Sequence, residues 1–243
     1  MSQATPFPPA PPRLPGIGGA LAVIVLYFAL QVGIGSALYL LAPRLPGMNG
    51  ADLRALLVIL TVLASTGLVA WTVRALWPFA WRQAAPPGFG LSRAGAAPYY
   101  ALAVLLGLAL PVFGSWLTQW LARGHAVSQD IKELGGTVSL GLRLPLALLV
   151  ATVGPLVEEL LFRGLLLSAL LRRVPAGWAV AASSLLFALV HLPDLGFLWY
   201  AVPNLALLAA VLAWLRLRSG SLWPAVLAHG VNNLLALAAW FTG

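Results

Sequence analysis

The chain has 243 residues, of which 61% are hydrophobic and 8% are Asp, Glu, Lys or Arg, roughly a third of the charged share of an ordinary soluble domain. With a mean hydropathy of +0.94 a water-soluble globule is excluded, and the fold class expected is all-α, a polytopic transmembrane helical bundle. The absence of Cys excludes disulfide scaffolds, Cys-ligated zinc and cysteine nucleophiles, and the net charge of +8 is spread singly between apolar runs, a topology signal and not a nucleic-acid footprint.

Residues 1–16 carry six prolines and a single charge, Arg13, and are expected to be a disordered tail, because they hold too little apolar surface to fold alone. Three apolar runs follow, from about Ile17 to Ala42, Leu53 to Trp77 and Tyr99 to Leu121. Each is long enough to cross a bilayer, and the first is too long for the core of a cleaved signal peptide. They form an N-terminal unit of three spans over 17–121. The remaining 122–243 opens on the longest polar stretch, Arg123 to Arg143, read as an interfacial loop or short surface helix. Four closely spaced apolar segments follow it, about Leu144 to Leu171, Trp178 to His191, Phe197 to Leu215 and Leu222 to Phe241, giving about seven spans in all.

Counting bases at alternate ends sets the orientation. Arg13, Arg74, Arg82, Arg93, Arg172, Arg173, Arg216 and Arg218 fall on one side with no acid among them. Arg44, Arg54, Arg123, Lys132 and Arg143 fall on the other, diluted by Asp52, Asp130, Glu133 and Asp194. The amino terminus is therefore expected in the cytoplasm, and the protein in a plasma membrane as a multi-pass chain; the Ala, Leu and Trp richness points to a bacterial inner membrane.

Function must sit on the ionisable side chains inside the apolar segments, each of which costs several kcal/mol in hydrocarbon if left unpaired. Glu159 and Arg163 are spaced i to i+4 in the favourable order for an ion pair on one helix face. Glu158 is then left over, about 100° round the helix, and the titratable side chains of later spans that can meet it are His191 and His229. Phe187 lies one turn before His191 and walls its pocket, and Asn233 lies one turn after His229 on the same face. Asn232 and Asn204 read as helix-to-helix hydrogen bonds, and His125 as a solvated loop residue.

These groups suggest hydrolysis without a serine or cysteine nucleophile: Glu158 and His191 take a proton from water, and His229 with Asn233 donates to a developing oxyanion. Glu158, His191 and His229 are equally a two-His, one-carboxylate set that can hold zinc and its water, and spacing does not separate the two chemistries.

Glu158-Glu159-x-x-Phe162-Arg163, Phe187-x-x-x-His191 and His229-x-x-x-Asn233, in that order, resemble the CPBP family, the CAAX protease and bacteriocin-processing or Abi family, over about residues 142 to 243. The resemblance implies an intramembrane endopeptidase with catalytic Glu158, His191, His229 and Asn233, supported by Glu159, Arg163 and Phe187. It favours a glutamate-type mechanism with no cofactor over a zinc enzyme. The partners it implies are the lipid bilayer and a peptide or membrane-protein substrate, with no nucleic acid. The prenylated substrate of the family's eukaryotic members is not carried over. A non-proteolytic membrane adaptor or immunity protein of the same fold is the competing expectation, and a proton-coupled transporter is disfavoured because no other span holds a second carboxylate.

Overall fold

The computed structural model describes residues 13–42, 48–125 and 130–241. Most of the expected N-terminal tail, and Arg44, lie outside the described residues. Every described element is helical, with no strand among them. In chain order they are α1 (Ile17–Leu41), α2 (Gly50–Leu76), the short α3 (Pro78–Arg82), α4 (Pro98–Ala122), α5 (Asp130–Thr137), a long α6 (Leu140–Leu171), α7 (Ala176–Val190), α8 (Val202–Ser219) and α9 (Trp223–Ala236). Local chemistry sets the starts. Asn49 caps α2 by accepting from the Asp52 amide at 2.8 Å, satisfying one orphan donor of the first turn. Pro78, Pro98, Pro203 and Pro224 open their helices where the missing N–H costs nothing. The polar stretch after α4 holds α5, the short helix the sequence suggested.

All seven apolar segments appear as helices, but five are long and apolar enough to cross a membrane by themselves: α1, α2, α4, α6 and the stretch Trp199–Ser219 that contains α8. The expected count of seven is therefore not reached by length alone. α7 has 15 residues and α9 has 14, about 22 and 21 Å at 1.5 Å per residue, against roughly 30 Å of hydrocarbon. Apolar composition hid their ends: α7 stops before the Pro193 turn, and the run from Leu222 breaks into a separate turn at Ala238–Trp240.

The elements gather into a bundle with two distinct ends. At one end Arg172 donates to the Pro15 carbonyl, and Arg216, fully buried, donates from Nη2 to Ala84 O at 2.7 Å and Gly88 O at 2.8 Å. Arg216 thus ties down the Pro- and Gly-rich connection between α3 and α4 and is not the solvated charge a topology count assumes. At the other end Asp52 accepts from the Ser139 amide at 2.8 Å and Arg143 donates to Trp240 O at 2.7 Å. The main core joins α1, α2, α6 and α7 through residues such as Tyr27, Val69, Phe162, Leu165 and Phe187. Large apolar side chains including Val32, Trp71, Trp116, Trp120 and Trp178 stay exposed on the outside, the surface that a bilayer and not water covers.

Helix α6 is not a regular α-helix. Two π-helical stretches, Leu149–Val153 and Leu160–Leu166, flank the turn that carries Glu158 and Glu159. Proline at 155 explains the first. With no N–H it bonds neither the Ala151 carbonyl, the α-helical partner, nor the Val150 carbonyl, the π-helical one. Helix α9 packs on both: Asn233 Nδ2 donates to Val150 O at 3.0 Å, and Ala151 O lies against Gly230, where a Cβ would collide with it.

Candidate active site

The turn of α6 between the π segments places Glu158 and Glu159 in different surroundings. Glu159 is fully buried. Its Oε1 accepts from Arg163 Nη1 at 2.9 Å, the expected i to i+4 pair, and also from His229 Nδ1 at 2.9 Å. Arg163 spends a second donor on the Ala209 carbonyl of α8 at 3.0 Å and lies over the Phe187 ring, 4.5 Å from its centroid. One buried ion pair therefore fastens α6 to α8 and α9, with Glu159 Oε1 carrying both of its bonds and Oε2 left buried without a partner among the described residues.

Glu158 is free of that network and turns into a cavity. Its Oε2 lies 3.8 Å from His191 Nε2 and 3.7 Å from His229 Nε2. Both exceed a direct hydrogen bond. The carboxylate and the His191 ring are each about a quarter open, while His229 is nearly enclosed. Each imidazole is held by its other nitrogen: His191 Nδ1–H donates to Phe187 O at 2.7 Å, and His229 Nδ1–H donates to Glu159. These bonds orient both rings and point both Nε2 atoms at Glu158. Phe187 serves both rings, with centroids 4.6 Å from His191 and 5.8 Å from His229, and packs edge-on against Phe162 at 5.1 Å.

Asn233 lines the same cavity one turn beyond His229. Its Oδ1 accepts from Asn232 Nδ2 at 3.2 Å and one hydrogen of its Nδ2 goes to Val150 O, which leaves the other hydrogen to donate. The structure thus brings Glu158, His191, His229 and Asn233 to one cavity, with Glu159, Arg163 and Phe187 behind them. Among the described residues no group of three or more His, Asp or Glu side chains is drawn together as a metal-holding cluster.

The cavity has a volume of about 1000 Å³, the upper end of the range for ligand sites. Its other walls come from residues the sequence did not single out for function: Tyr27 and Gln31 of α1, Val58 and Val62 of α2, and Ser115 and Thr118 of α4. Tyr27, only 3% exposed, carries no signal in the sequence, because an aromatic residue in an apolar span reads as core. Asn204, Asn232 and His125, assigned bland roles above, line it too. His125 sits in the loop after α4 with its ring 6.5 Å from Tyr200.

No curated protein and no solved structure matches the chain. Over residues 140–235, the stretch from α6 to α9 that holds every motif residue, the chain matches the family described as type II CAAX prenyl endopeptidase Rce1-like, in keeping with the CPBP resemblance of its three motifs.

Proposed function

We propose that the chain is an intramembrane endopeptidase that hydrolyses a peptide or a membrane-protein segment with water activated by Glu158 and His191. The convergence of Glu158 Oε2 with the Nε2 atoms of His191 and His229 at 3.8 and 3.7 Å carries the reading, and the endopeptidase family matched over 140–235 supports it. These separations suit a water shared between the carboxylate and an imidazole. Glu158 takes one proton from that water while His191 Nε2 accepts a hydrogen bond from the other hydrogen. The resulting hydroxide attacks the peptide carbonyl, and protonated Glu158 returns its proton to the leaving amine.

The second N–H of Asn233 Nδ2 and His229 Nε2 are the donors to the oxygen that becomes negative. Because His229 Nδ1–H is spent on Glu159, donation from Nε2 requires the ring to carry both protons.

The direct test compares newly formed peptide termini in membranes of cells carrying the intact protein with those carrying Glu158→Ala at matched abundance. Termini present only with Glu158 are expected, and they name the substrate. Identical sets would overturn the reading and favour a non-proteolytic adaptor. Zinc is tested separately, because two imidazole nitrogens and a carboxylate have the right donor chemistry for it. The expected result is cleavage that persists in a membrane-permeant chelator with no stoichiometric zinc in the purified protein. Cleavage lost to the chelator and restored by zinc would replace the glutamate mechanism with a metal one.

A further inference from the structure

Part of the cavity wall is formed where α4 meets α8, two helices that carry none of the three motifs. Asn204 leaves α8 within its first turn and lines the cavity together with Glu158, His191 and His229. Its carboxamide lies against the backbone of Gly114 in α4: a Cβ at 114 would run into Oδ1, Cγ and Nδ2 of the amide together. Gly114 is buried and Asn204 half-buried, and no hydrogen bond within the described residues engages the Asn204 amide. One turn after Gly114, Thr118 lines the same cavity with its hydroxyl buried and unpartnered.

A half-buried carboxamide with both functions free on a cavity wall is available to a ligand. Its donor and acceptor sit side by side, as do the N–H and C=O of one residue in an extended chain, which point to the same side of the strand. The two sets are complementary.

We propose that Asn204 is a substrate-binding residue whose amide pairs with the backbone N–H and C=O of one residue of an extended substrate segment. Nδ2 donates to the substrate carbonyl and Oδ1 accepts from the substrate amide. Gly114 keeps the room for that amide, and the Thr118 hydroxyl is free to rotate toward the same segment. Because the grip is on backbone, it orients a chain for Glu158 without selecting its side chains. This inference rests on the endopeptidase reading above.

The test uses the whole protein in lipid nanodiscs and two probes: an internally quenched pool of degenerate decapeptides for cleavage, and a fluorescein-labelled version of the pool for binding to the Glu158→Ala protein. Asn204→Leu keeps the γ-branched shape and removes both hydrogen bonds. It is expected to raise the apparent KM, and the Kd in the Glu158→Ala background, about tenfold, the loss of two hydrogen bonds of ordinary net strength, with kcat within twofold. If Asn204→Leu does not fold, Asn204→Ala, which adds no bulk against Gly114, carries the same expectation. Cleavage by the Asn204 variant with unchanged KM overturns this inference and leaves the endopeptidase reading standing. Binding that depends on Asn204 without cleavage by the intact protein does the reverse, and a pool neither cleaved nor bound overturns both.

Discussion

Adjacent carboxylates in α6 meet different surroundings, and the difference lies in what each one touches. Glu158 has no direct hydrogen bond to either imidazole and opens into the cavity, so replacing it by Gln removes a base and little else. Glu158→Gln is expected to lower the rate by about 10²- to 10⁴-fold, the usual contribution of a positioned general base, with thermal unfolding in detergent essentially unchanged. Glu159→Gln leaves the fully buried guanidinium of Arg163 without its counter-charge and weakens the acceptor that holds the His229 ring. A loss of about 3–5 kcal/mol is expected from breaking one side of a buried ion pair, read as a marked fall in unfolding temperature together with lost activity. If the two variants were equally stable, the division between reacting and supporting carboxylates would be wrong. The i to i+4 pair was legible in the sequence, because helix geometry alone brings those side chains together. The bond from Glu159 to His229 was not, since it joins residues 70 positions apart and depends on how α9 lies on α6.

At the scale of elements, the motifs could be assigned to helices before their helices could be drawn. Periodicity placed His191 and Phe187, and His229 and Asn233, on common faces, and the structure agrees. The π segments of α6 escaped notice because Pro155 can signal a kink, a break or a bulge, and only the neighbouring helix decides which. Here α9 bears on it by donating from Asn233 to the Val150 carbonyl and by packing Gly230 against the Ala151 carbonyl. That close approach sets a prediction: Gly230→Ala forces a methyl group into the Ala151 carbonyl. Overpacking of this kind costs about 1–3 kcal/mol, and it moves the helix that carries His229. Activity is therefore expected to fall by at least tenfold while Gly177→Ala, at an open position of α7, changes nothing. Equal activity of the two variants would show that α9 tolerates displacement and that its seating does not position the ring.

On the scale of the whole molecule, the matched stretch 140–235 holds every motif residue of this multi-pass membrane protein, yet α1, α2 and α4 close the cavity around them. The long apolar segments and the charge sorting were visible in composition. The cavity wall was not, because Tyr27, Thr118 and Asn204 become neighbours of Glu158 only through packing. The two ends of the bundle differ in charge: Arg74, Arg93, Arg172, Arg173, Arg216 and Arg218 lie toward the end where Arg172 holds Pro15 and Arg216 holds the connection before α4. The cavity reaches the opposite end, where His125, Asp194 and Leu237 line it. Basic residues are retained on the cytoplasmic side, so the arginine-rich end is expected inside and the cavity is expected to open outside. The native chain has no Cys, which makes single-cysteine labelling clean. Ser139→Cys, exposed at the cavity end, should react with a membrane-impermeant maleimide on intact cells. Ala96→Cys, exposed at the arginine-rich end, should react only after the membrane is opened. The reverse pattern would invert the bundle, and substrates would then reach Glu158 from the cytoplasm.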